Sequence, residues 1–284
     1  MTILQSILLG ILQGVAEFLP ISSSGHLQLG QELFGLSEVP LLYDVWLHLA
    51  TLLAVIIYFR KKIWNLLKIF GRWITKKTST EIHDSEDLLC GTDELGKKTI
   101  IAIIIATIIT GSIGIVTSKF IPDLSSKFVC GGFLVTSFLL IFSSILEKRQ
   151  SKLKEQNAIP EKGISIVQSI VIGFAQGFGT LPGISRSGST IAGALISGVN
   201  RKAAGEFSFI VSIPAILGAF ILELKDLGSM TDSIGALPII FGCIASFVVG
   251  YLSLAFLMKL IRKGKLEWFA AYLIPVGILG LIFF

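Results

Sequence analysis

Two short polar segments stand out in a chain that is otherwise strongly apolar. The first runs from Gln13 to His26, and the second, 163 residues further on, runs from Gln176 to Ser189. Gln-Gly, Leu-Pro and Ile-Ser-x-Ser-Gly recur in the same order in both, with Gly183 as an extra residue in the second. Polar breaks are tolerated in apolar surroundings where they line a cavity, and paired breaks in two halves of a membrane protein point to a binding site. We therefore expect the function to reside in these two segments.

The second segment has the composition of an anion-binding loop. Ser185, Ser187 and Thr190 supply hydroxyl groups, and Gly183 permits a tight backbone turn before them. A serine-rich turn at a helix N-terminus directs backbone N–H groups and the positive end of the helix dipole at one point. Arg186 adds a planar guanidinium suited to bidentate contact with phosphate oxygens. We therefore predict an oxyanion site, best suited to phosphate, that uses these side chains.

The first segment combines an acid, hydroxyl groups and a histidine. Glu17 is suited to holding a divalent cation or to acting as a general acid or base. His26 is suited to proton transfer or to direct attack on phosphorus, and Ser23 is an alternative nucleophile that His26 would activate. On a helix, Gln13 and Glu17 share one face, because they are four residues apart, and we expect Gln13 to contact the same substrate as Glu17. The further hydroxyls expected to contact substrate are those of Ser22 and Ser24.

Some of these polar residues also have a purely structural interpretation. Arg186 is able to form a structural ion pair with Glu17 or Glu206, although such a pair does not explain the surrounding hydroxyls. His48 is expected to pack within an apolar span. Asp44 and Glu206 occupy matching places after the two segments, and we expect them to hold the loops in shape by hydrogen bonds.

The composition is that of an integral membrane protein. Apolar residues make up 52% of the 284 residues and charged residues 15%, whereas about a quarter of a soluble chain is charged. Cys90, Cys130 and Cys243 are too scattered to indicate a disulfide framework or a metal cluster, and Thr2–Leu19 lacks the basic start of a cleaved signal. Six apolar runs are each about long enough to cross a bilayer as a helix. They are Leu41–Phe59, Thr99–Val116, Phe128–Leu146, Ala203–Leu222, Ala236–Met258 and Trp268–Phe284.

The distribution of positive charge predicts the orientation of the chain. Most of the 24 Lys and Arg lie in four segments, 60–98, 147–163, 201–202 and 259–266. This asymmetry is the positive-inside pattern, which assigns these segments to the cytoplasm. The net charge of +5 therefore serves orientation and contact with anionic lipids, and we expect no nucleic-acid partner. The aromatic and basic stretch Arg60–Lys77 is suited to lying on the inner membrane surface.

Counting spans from these cytoplasmic segments predicts two inverted-topology repeats. Because both 147–163 and 201–202 are assigned inside, Ile164–Val199 must enter and leave on one side as a re-entrant hairpin bent at Leu181–Gly188. Thr2–Gln31 is the equivalent hairpin from outside, bent at Pro20–Gly25. We predict an all-α membrane protein of one domain, in which repeats 1–146 and 164–284 each comprise one hairpin and three spans. The two hairpin tips would meet near the middle of the membrane.

With these motifs, the chain resembles the undecaprenyl-diphosphate phosphatases of the bacitracin-resistance (UppP/BacA) family from Ile7 to Phe284. The first family signature is an acidic residue or Gln, three residues, Glu, then Phe-Leu-Pro-x-Ser-Ser-x-Gly-His. Here it is met by Gln13, Glu17 and Phe18–His26. The second, Pro-Gly-x-Ser-Arg-Ser-x-x-Thr, is met by Pro182–Thr190, and the usual Glu-Phe-Ser-Phe follows at residues 206–209. One departure is Gln13, where many relatives have glutamate, so Glu17 is the only acid of the first signature.

The resemblance implies hydrolysis of undecaprenyl diphosphate to undecaprenyl phosphate and inorganic phosphate. This reaction recycles the carrier lipid of wall polymers and confers bacitracin resistance. It also implies a divalent cation, Mg²⁺ or Ca²⁺, and a site that opens to the outer face of the bacterial plasma membrane. Glu17 would bind the metal or transfer a proton. Arg186, Ser185 and Thr190 would hold the diphosphate. Ser23 and His26 would share the roles of nucleophile and base. The oligomeric state stays open between a monomer and a homodimer.

A transporter is the main alternative interpretation. Inverted repeats with broken helices are a transporter architecture, so the same arginine and serines would serve to flip a polyprenyl phosphate or to carry an anion. That function does not require Glu17 and His26 to perform chemistry, whereas a phosphatase does. A non-catalytic membrane scaffold leaves the polar tips unexplained.

Overall fold

The computed structural model describes residues 1–36, 41–77, 87–120, 124–157, 163–223 and 235–284. Within these ranges the chain forms eleven α-helices and no β-strand. The helices are α1 (Ile3–Phe18), α2 (Ser23–Leu33), α3 (Leu41–Tyr58), α4 (Arg60–Ile74), α5 (Asp93–Phe120), α6 (Ser126–Asn157), α7 (Ile166–Phe178), α8 (Arg186–Ile196), α9 (Arg201–Glu223), α10 (Ala236–Arg262) and α11 (Glu267–Phe283).

Most of the predicted spans coincide with long apolar helices. Four of them lie within α5, α6, α9 and α10, each of which is long and apolar enough to cross a bilayer. A fifth is α3, which turns by 77° into α4. The sixth is α11, a shorter apolar helix of 17 residues. The prediction of an all-helical, multi-pass membrane protein is therefore confirmed.

Helices extend into both segments that were predicted as cytoplasmic loops. Residues 60–98 contain α4 and the first turn of α5, and α6 continues through residue 157. The apolar pattern that defines a span stops where the helix leaves the hydrocarbon, but a charged continuation can keep its backbone hydrogen bonds in water. The span boundaries from hydropathy are for this reason shorter than the helices.

Each polar segment forms the bend between two short helices. α1 and α7 both begin with a capping box, in which Thr2 pairs with Gln5 and Ser165 pairs with Gln168. The matched hydroxyl and glutamine, 163 residues apart in the two copies, extend the sequence repeat back to the helix starts. Sequence analysis missed this part of the repeat.

The bends themselves are built from N-caps and a constrained glycine. Ser22 caps α2 by accepting from the Gly25 N–H at 3.4 Å, and Ser185 caps α8 by accepting from the Gly188 N–H at 3.1 Å. Gly183 has φ +84°, and a Cβ there would overlap the Val129 backbone. A side chain at this position is therefore excluded by conformation and by space.

The two hairpins dock onto long helices through small residues. α1 packs mainly on α10, and α7 packs mainly on α5. A Cβ on Gly10 would overlap the Gly242 backbone, and a Cβ on Gly173 would lie 2.9 Å from the Ala106 Cα. Small residues let helix backbones approach closely in membranes, where packing takes the place of the hydrophobic effect. These contacts hold the bends of both hairpins against the central core of the bundle.

Candidate active site

The two polar segments meet through one ion pair. Glu17 lies in the last turn of α1 and Arg186 is the first residue of α8, and the Arg186 guanidinium donates to Glu17 Oε1. The Glu17 side chain is only 3% exposed. A carboxylate this deeply buried requires a charge partner or several hydrogen bonds. The pair considered as a structural alternative for Arg186 is therefore present, and its partner is Glu17, whereas Glu206 lies 2.9 Å from Lys62 Nζ.

The second carboxylate oxygen of Glu17 accepts hydrogen bonds from side chains on both helices of the first hairpin. The Ser23 hydroxyl donates to Oε2 at 2.6 Å, and the Gln13 amide donates to it at 3.0 Å. Gln13 and Glu17 lie on one face of α1, as their spacing predicts. The short Ser23 contact is of the kind that a charge-assisted hydrogen bond makes. Glu17 is thus positioned to accept the Ser23 proton.

His26 lies apart from this carboxylate. Its Nδ1 is 2.9 Å from the Ser22 carbonyl oxygen, and its Nε2 is 3.0 Å from the Tyr272 hydroxyl. The ring also packs against Phe133 and Tyr272. Within the described residues no hydrogen bond joins Ser23 to His26, so the structure does not bring this expected pair together. His26 instead braces the backbone immediately before Ser23.

His48 also lies in this site, although the sequence predicted only that it packs within an apolar span. Its Nε2 lies 3.3 Å from Glu17 Oε2, and its Nδ1 lies 2.7 Å from the Asp44 carbonyl oxygen. Asp44 in turn accepts from the Gln31 amide at 2.8 Å and so holds the end of α2, as expected for a residue that shapes a loop. One face of α3 carries Asp44, His48 and Thr51 at i, i+4 and i+7. This polar face in an apolar helix is the sequence pattern that could have predicted the contact between His48 and Glu17.

A narrow pocket leads from the ion pair into apolar surroundings. Its free volume is about 10 Å³, room for roughly one water molecule. Hydroxyl groups and apolar side chains line it in comparable numbers. The lining residues are Glu17, Phe18, Thr51, Val55, Arg186, Ser187, Thr190, Ser208, Phe209, Ser212 and Ile216. Ser208 and Ser212, four residues apart on α9, were missed because isolated serines in an apolar span carry little signal.

The serines of the predicted oxyanion loop divide into two groups. Ser187 and Thr190 line the pocket beside Arg186. Ser185 is the N-cap of α8, and its backbone N–H donates to Thr136 Oγ1 at 3.0 Å. In the first hairpin, Ser22 is likewise an N-cap, and Ser24 Oγ lies 3.5 Å from Ser22 Oγ. The capping serines shape the bends, and Ser187 lines the pocket within 3.2 Å of Ser185 Oγ. The Thr190 hydroxyl, predicted to contact substrate, instead donates to the Arg186 carbonyl oxygen at 2.6 Å.

The oxygen atoms on α1 fit a hard divalent cation. Gln13 Oε1 is buried and has no hydrogen-bond partner among the described residues, and Glu17 lies one helical turn further along. Mg²⁺ is commonly held by one or two protein oxygens, with water and substrate phosphate completing its shell. Within the described ranges no cluster of three His, Cys, Asp or Glu residues has the geometry of an all-protein metal site. A cation held by Glu17 and Gln13 would have coordination positions left for water and substrate phosphate.

Fold and site together define a multi-pass helical membrane protein with an ionic pocket built from two helix hairpins. The model of the family described as "Bacitracin resistance protein BacA" matches residues 6–279. The chain belongs to this family.

Curated relatives match over nearly their whole length. A protein of Treponema denticola is 45% identical over 98% of this chain and 96% of its own. One of Halothermothrix orenii is 39% identical over 99% and 98%, and one of Methanobrevibacter smithii is 38% identical over 98% and 96%. All three carry the name undecaprenyl-diphosphatase.

Proposed function

We propose that this protein hydrolyses undecaprenyl diphosphate to undecaprenyl phosphate and inorganic phosphate. The observation that carries the proposal is the contact between Glu17 of the first motif and Arg186 of the second, at the head of a pocket with apolar walls. Family membership and the names of the relatives support the same reaction. The lining matches the chemistry of a lipid diphosphate, which joins a multiply charged head to a long apolar tail. The pocket must widen to admit it, because its free volume of about 10 Å³ holds roughly one water molecule.

Arg186 is the residue we assign to the diphosphate. Its guanidinium pairs with Glu17 through Nη2 when no ligand competes, and the oxygens of a phosphate group offer bidentate contact and more charge. Ser187 would donate to a further phosphate oxygen, whereas the Thr190 hydroxyl donates to the Arg186 carbonyl oxygen at 2.6 Å and would hold the first turn of α8 in place. The polyprenyl tail would leave between α3 and α9, where Val55, Phe209 and Ile216 form the apolar walls.

Ser23 is the nucleophile that the geometry favours. Its hydroxyl donates to Glu17, whereas both nitrogens of His26 are engaged with Ser22 and Tyr272. Glu17 would take the Ser23 proton as Ser23 Oγ bonds to the terminal phosphorus. The bond from that phosphorus to the bridging oxygen would break, and undecaprenyl phosphate would leave. Water would then cleave the phosphoserine, release inorganic phosphate and restore the Ser23 hydroxyl.

A divalent cation, Mg²⁺ or Ca²⁺, is proposed at the α1 oxygens. Glu17 and Gln13 Oε1 are the protein atoms that would hold it together with phosphate oxygens. When bound, such an ion neutralises charge on the transferring phosphoryl group. His48 and Gln13 would keep the Glu17 carboxylate oriented when Arg186 turns to the substrate.

The two halves, 1–146 and 164–284, are proposed to be inverted-topology repeats. The matched capping boxes, the matched N-caps Ser22 and Ser185, and the exchange of partners between α1 on α10 and α7 on α5 support a two-fold relation. The distribution of basic residues supports the orientation with segments 60–98 and 147–163 inside, and the family resemblance supports an active site that opens to the outer face of the bacterial plasma membrane. A single cysteine near Glu147 should then react only with reagents delivered from inside, and labelling from outside would contradict this topology.

The reaction is tested by phosphate release from purified protein. We expect release from undecaprenyl diphosphate, or from a shorter polyprenyl diphosphate, when Mg²⁺ or Ca²⁺ is added, and little release after chelation. An anion carrier or flippase would move its ligand across a vesicle membrane without releasing phosphate. Absence of release from well-folded protein under these conditions would reject the phosphatase proposal.

A further inference from the structure

A second cavity lies at the end of the bundle that carries the basic segments. It has a volume of about 350 Å³, far larger than the pocket beside Glu17. Its walls come from the last turns of α6 and α10, the loop after α8 and the start of α9. The lining residues are Glu147, Gln150, Ser151, Gly198, Val199, Asn200, Arg201, Lys202 and Arg262. None of these residues lines the candidate active site.

The charge of this cavity is strongly positive. Among the described residues that line it, Arg201, Lys202 and Arg262 are cationic and Glu147 carries the one carboxylate. Arg201 pairs with Glu147 through Nη2 only, and its Nε and Nη1 make no hydrogen bond within the described part of the chain. Arg262 likewise makes no hydrogen bond or ion pair among the described residues. Several donors of the lining guanidinium groups thus remain available to an anion.

The position of two of these cations is unfavourable without a ligand. Asn200 caps α9 by accepting from the Lys202 N–H at 2.8 Å, so Arg201 and Lys202 occupy the first helical turn. The helix dipole favours acidic residues at this end and disfavours cations, and the first turn of α9 contains no acidic residue. An anion in the cavity would relieve both the repulsion among the cations and the unfavourable dipole.

The geometry holds Arg201 in place for such an anion. Gly264 has φ +65°, and a Cβ at this position would lie 2.5 Å from the guanidinium carbon of Arg201. Glu147 accepts a hydrogen bond from the same guanidinium and is itself held by the Ser151 hydroxyl, which donates to it at 2.8 Å. A long cationic side chain that is fixed before binding loses less conformational entropy when a ligand arrives.

We infer that this cavity is a binding site for a phosphate group, separate from the catalytic pocket. Phosphate is the anion best matched to guanidinium groups and a helix N-terminus acting together. The group would belong either to an anionic lipid of the inner leaflet or to free inorganic phosphate. This inference does not depend on the proposed hydrolysis, since no residue is shared between the two sites.

The test uses the full-length protein in nanodiscs and follows thermal unfolding and native mass spectra. One arm compares nanodiscs of phosphatidylcholine alone with nanodiscs that contain phosphatidic acid. The other arm titrates inorganic phosphate into phosphatidylcholine nanodiscs. Arg262→Ala and Lys202→Ala remove cavity cations, and Lys263→Ala is the matched control, because Lys263 neighbours Arg262 but does not line the cavity. Only stabilisation that is lost in the cavity variants counts, because phosphate is also expected to bind Arg186.

We expect the midpoint ligand concentration to rise about tenfold in each cavity variant and to stay unchanged in Lys263→Ala. Stabilisation by phosphatidic acid alone would assign the site to a lipid headgroup, and stabilisation by inorganic phosphate would assign it to the free ion. If Lys263→Ala lost as much stabilisation as the cavity variants, the effect would come from general surface charge, and the inference would be overturned. Absence of stabilisation in both arms would overturn it as well.

Discussion

Glu17 and Arg186, 169 residues apart in the chain, form a buried ion pair where the two helix hairpins meet. Each charge compensates the other, so neither is left unpaired in a low-dielectric interior. In the mechanism we propose, a diphosphate that enters would take Arg186 away from Glu17, and this exchange would free the carboxylate that accepts the Ser23 hydrogen bond. Binding of substrate and activation of the nucleophile would in this way be coupled through one contact.

Removal of Arg186 should affect stability and activity differently. Arg186→Ala leaves Glu17 buried and unpaired, which should lower the free energy of unfolding by about 3 kcal/mol and activity by at least ~100-fold. The double variant with Glu17→Gln should recover most of the stability but none of the activity. Thermal unfolding and phosphate release measure the two effects. If Arg186→Ala alone retained near-normal turnover, the guanidinium would have only a structural role.

The nucleophile can be identified by trapping. Ser23→Ala should reduce phosphate release by at least ~1,000-fold, and acid-quenched wild-type protein should carry phosphate on Ser23. Ser24→Ala is the control, because this neighbour does not contact Glu17, so the variant should still carry phosphate on Ser23 even if a substrate contact is lost. A phosphohistidine at His26, or an active Ser23→Ala enzyme, would contradict the assignment.

His48 is expected to orient Glu17. His48→Leu should lower kcat on the order of 10-fold to 100-fold, with little change in KM, as is typical when a partner of a catalytic group is lost. His48→Gln keeps a donor on a side chain of similar reach and should retain most of the activity. Steady-state kinetics separate the two parameters. Equal activity of His48→Leu and wild-type protein would show that the contact has no catalytic consequence.

Gln13→Glu should remain active, since the family signature that the chain resembles accepts an acidic residue or Gln at this position. A second carboxylate beside Glu17 should lower the Mg²⁺ concentration needed for half-maximal activity, because carboxylates bind the cation better than amides. A titration of activity against Mg²⁺ tests this. An inactive variant that folds normally would mean that this end of α1 tolerates no further charge.

Gly183 tests the architecture of the second bend. Gly183→Ala would place a Cβ against the Val129 backbone at a positive φ and should cost about 1–3 kcal/mol of stability. Gly131→Ala is the control. Gly131 lies on α6, two residues after Val129, and no atom lies within 4 Å of the position that its Cβ would occupy. Gly131→Ala should keep or raise the unfolding temperature. Equal stability of the two variants would show that the bend can rearrange.

The sequence by itself determined the class of protein, the two polar motifs and the family resemblance. These features are local. A long apolar run indicates a membrane span, and a break of Gly, Pro and Ser indicates a polar cavity, whatever the rest of the fold. Glu17 and Arg186 were recognisable for the same reason, as costly side chains in an apolar chain. The matched capping boxes at Thr2 and Ser165 were also present in the sequence.

Only the tertiary structure decided which of these side chains meet. Ser23 could pair with His26 or with Glu17 by spacing alone, and the packing of α1 against α2 selects Glu17. His26 instead reaches Tyr272, 246 residues away, and His48 reaches Glu17 from a different helix. The rotation of a span about its axis depends on the helices around it, and no local pattern in an almost uniformly apolar segment specifies that rotation.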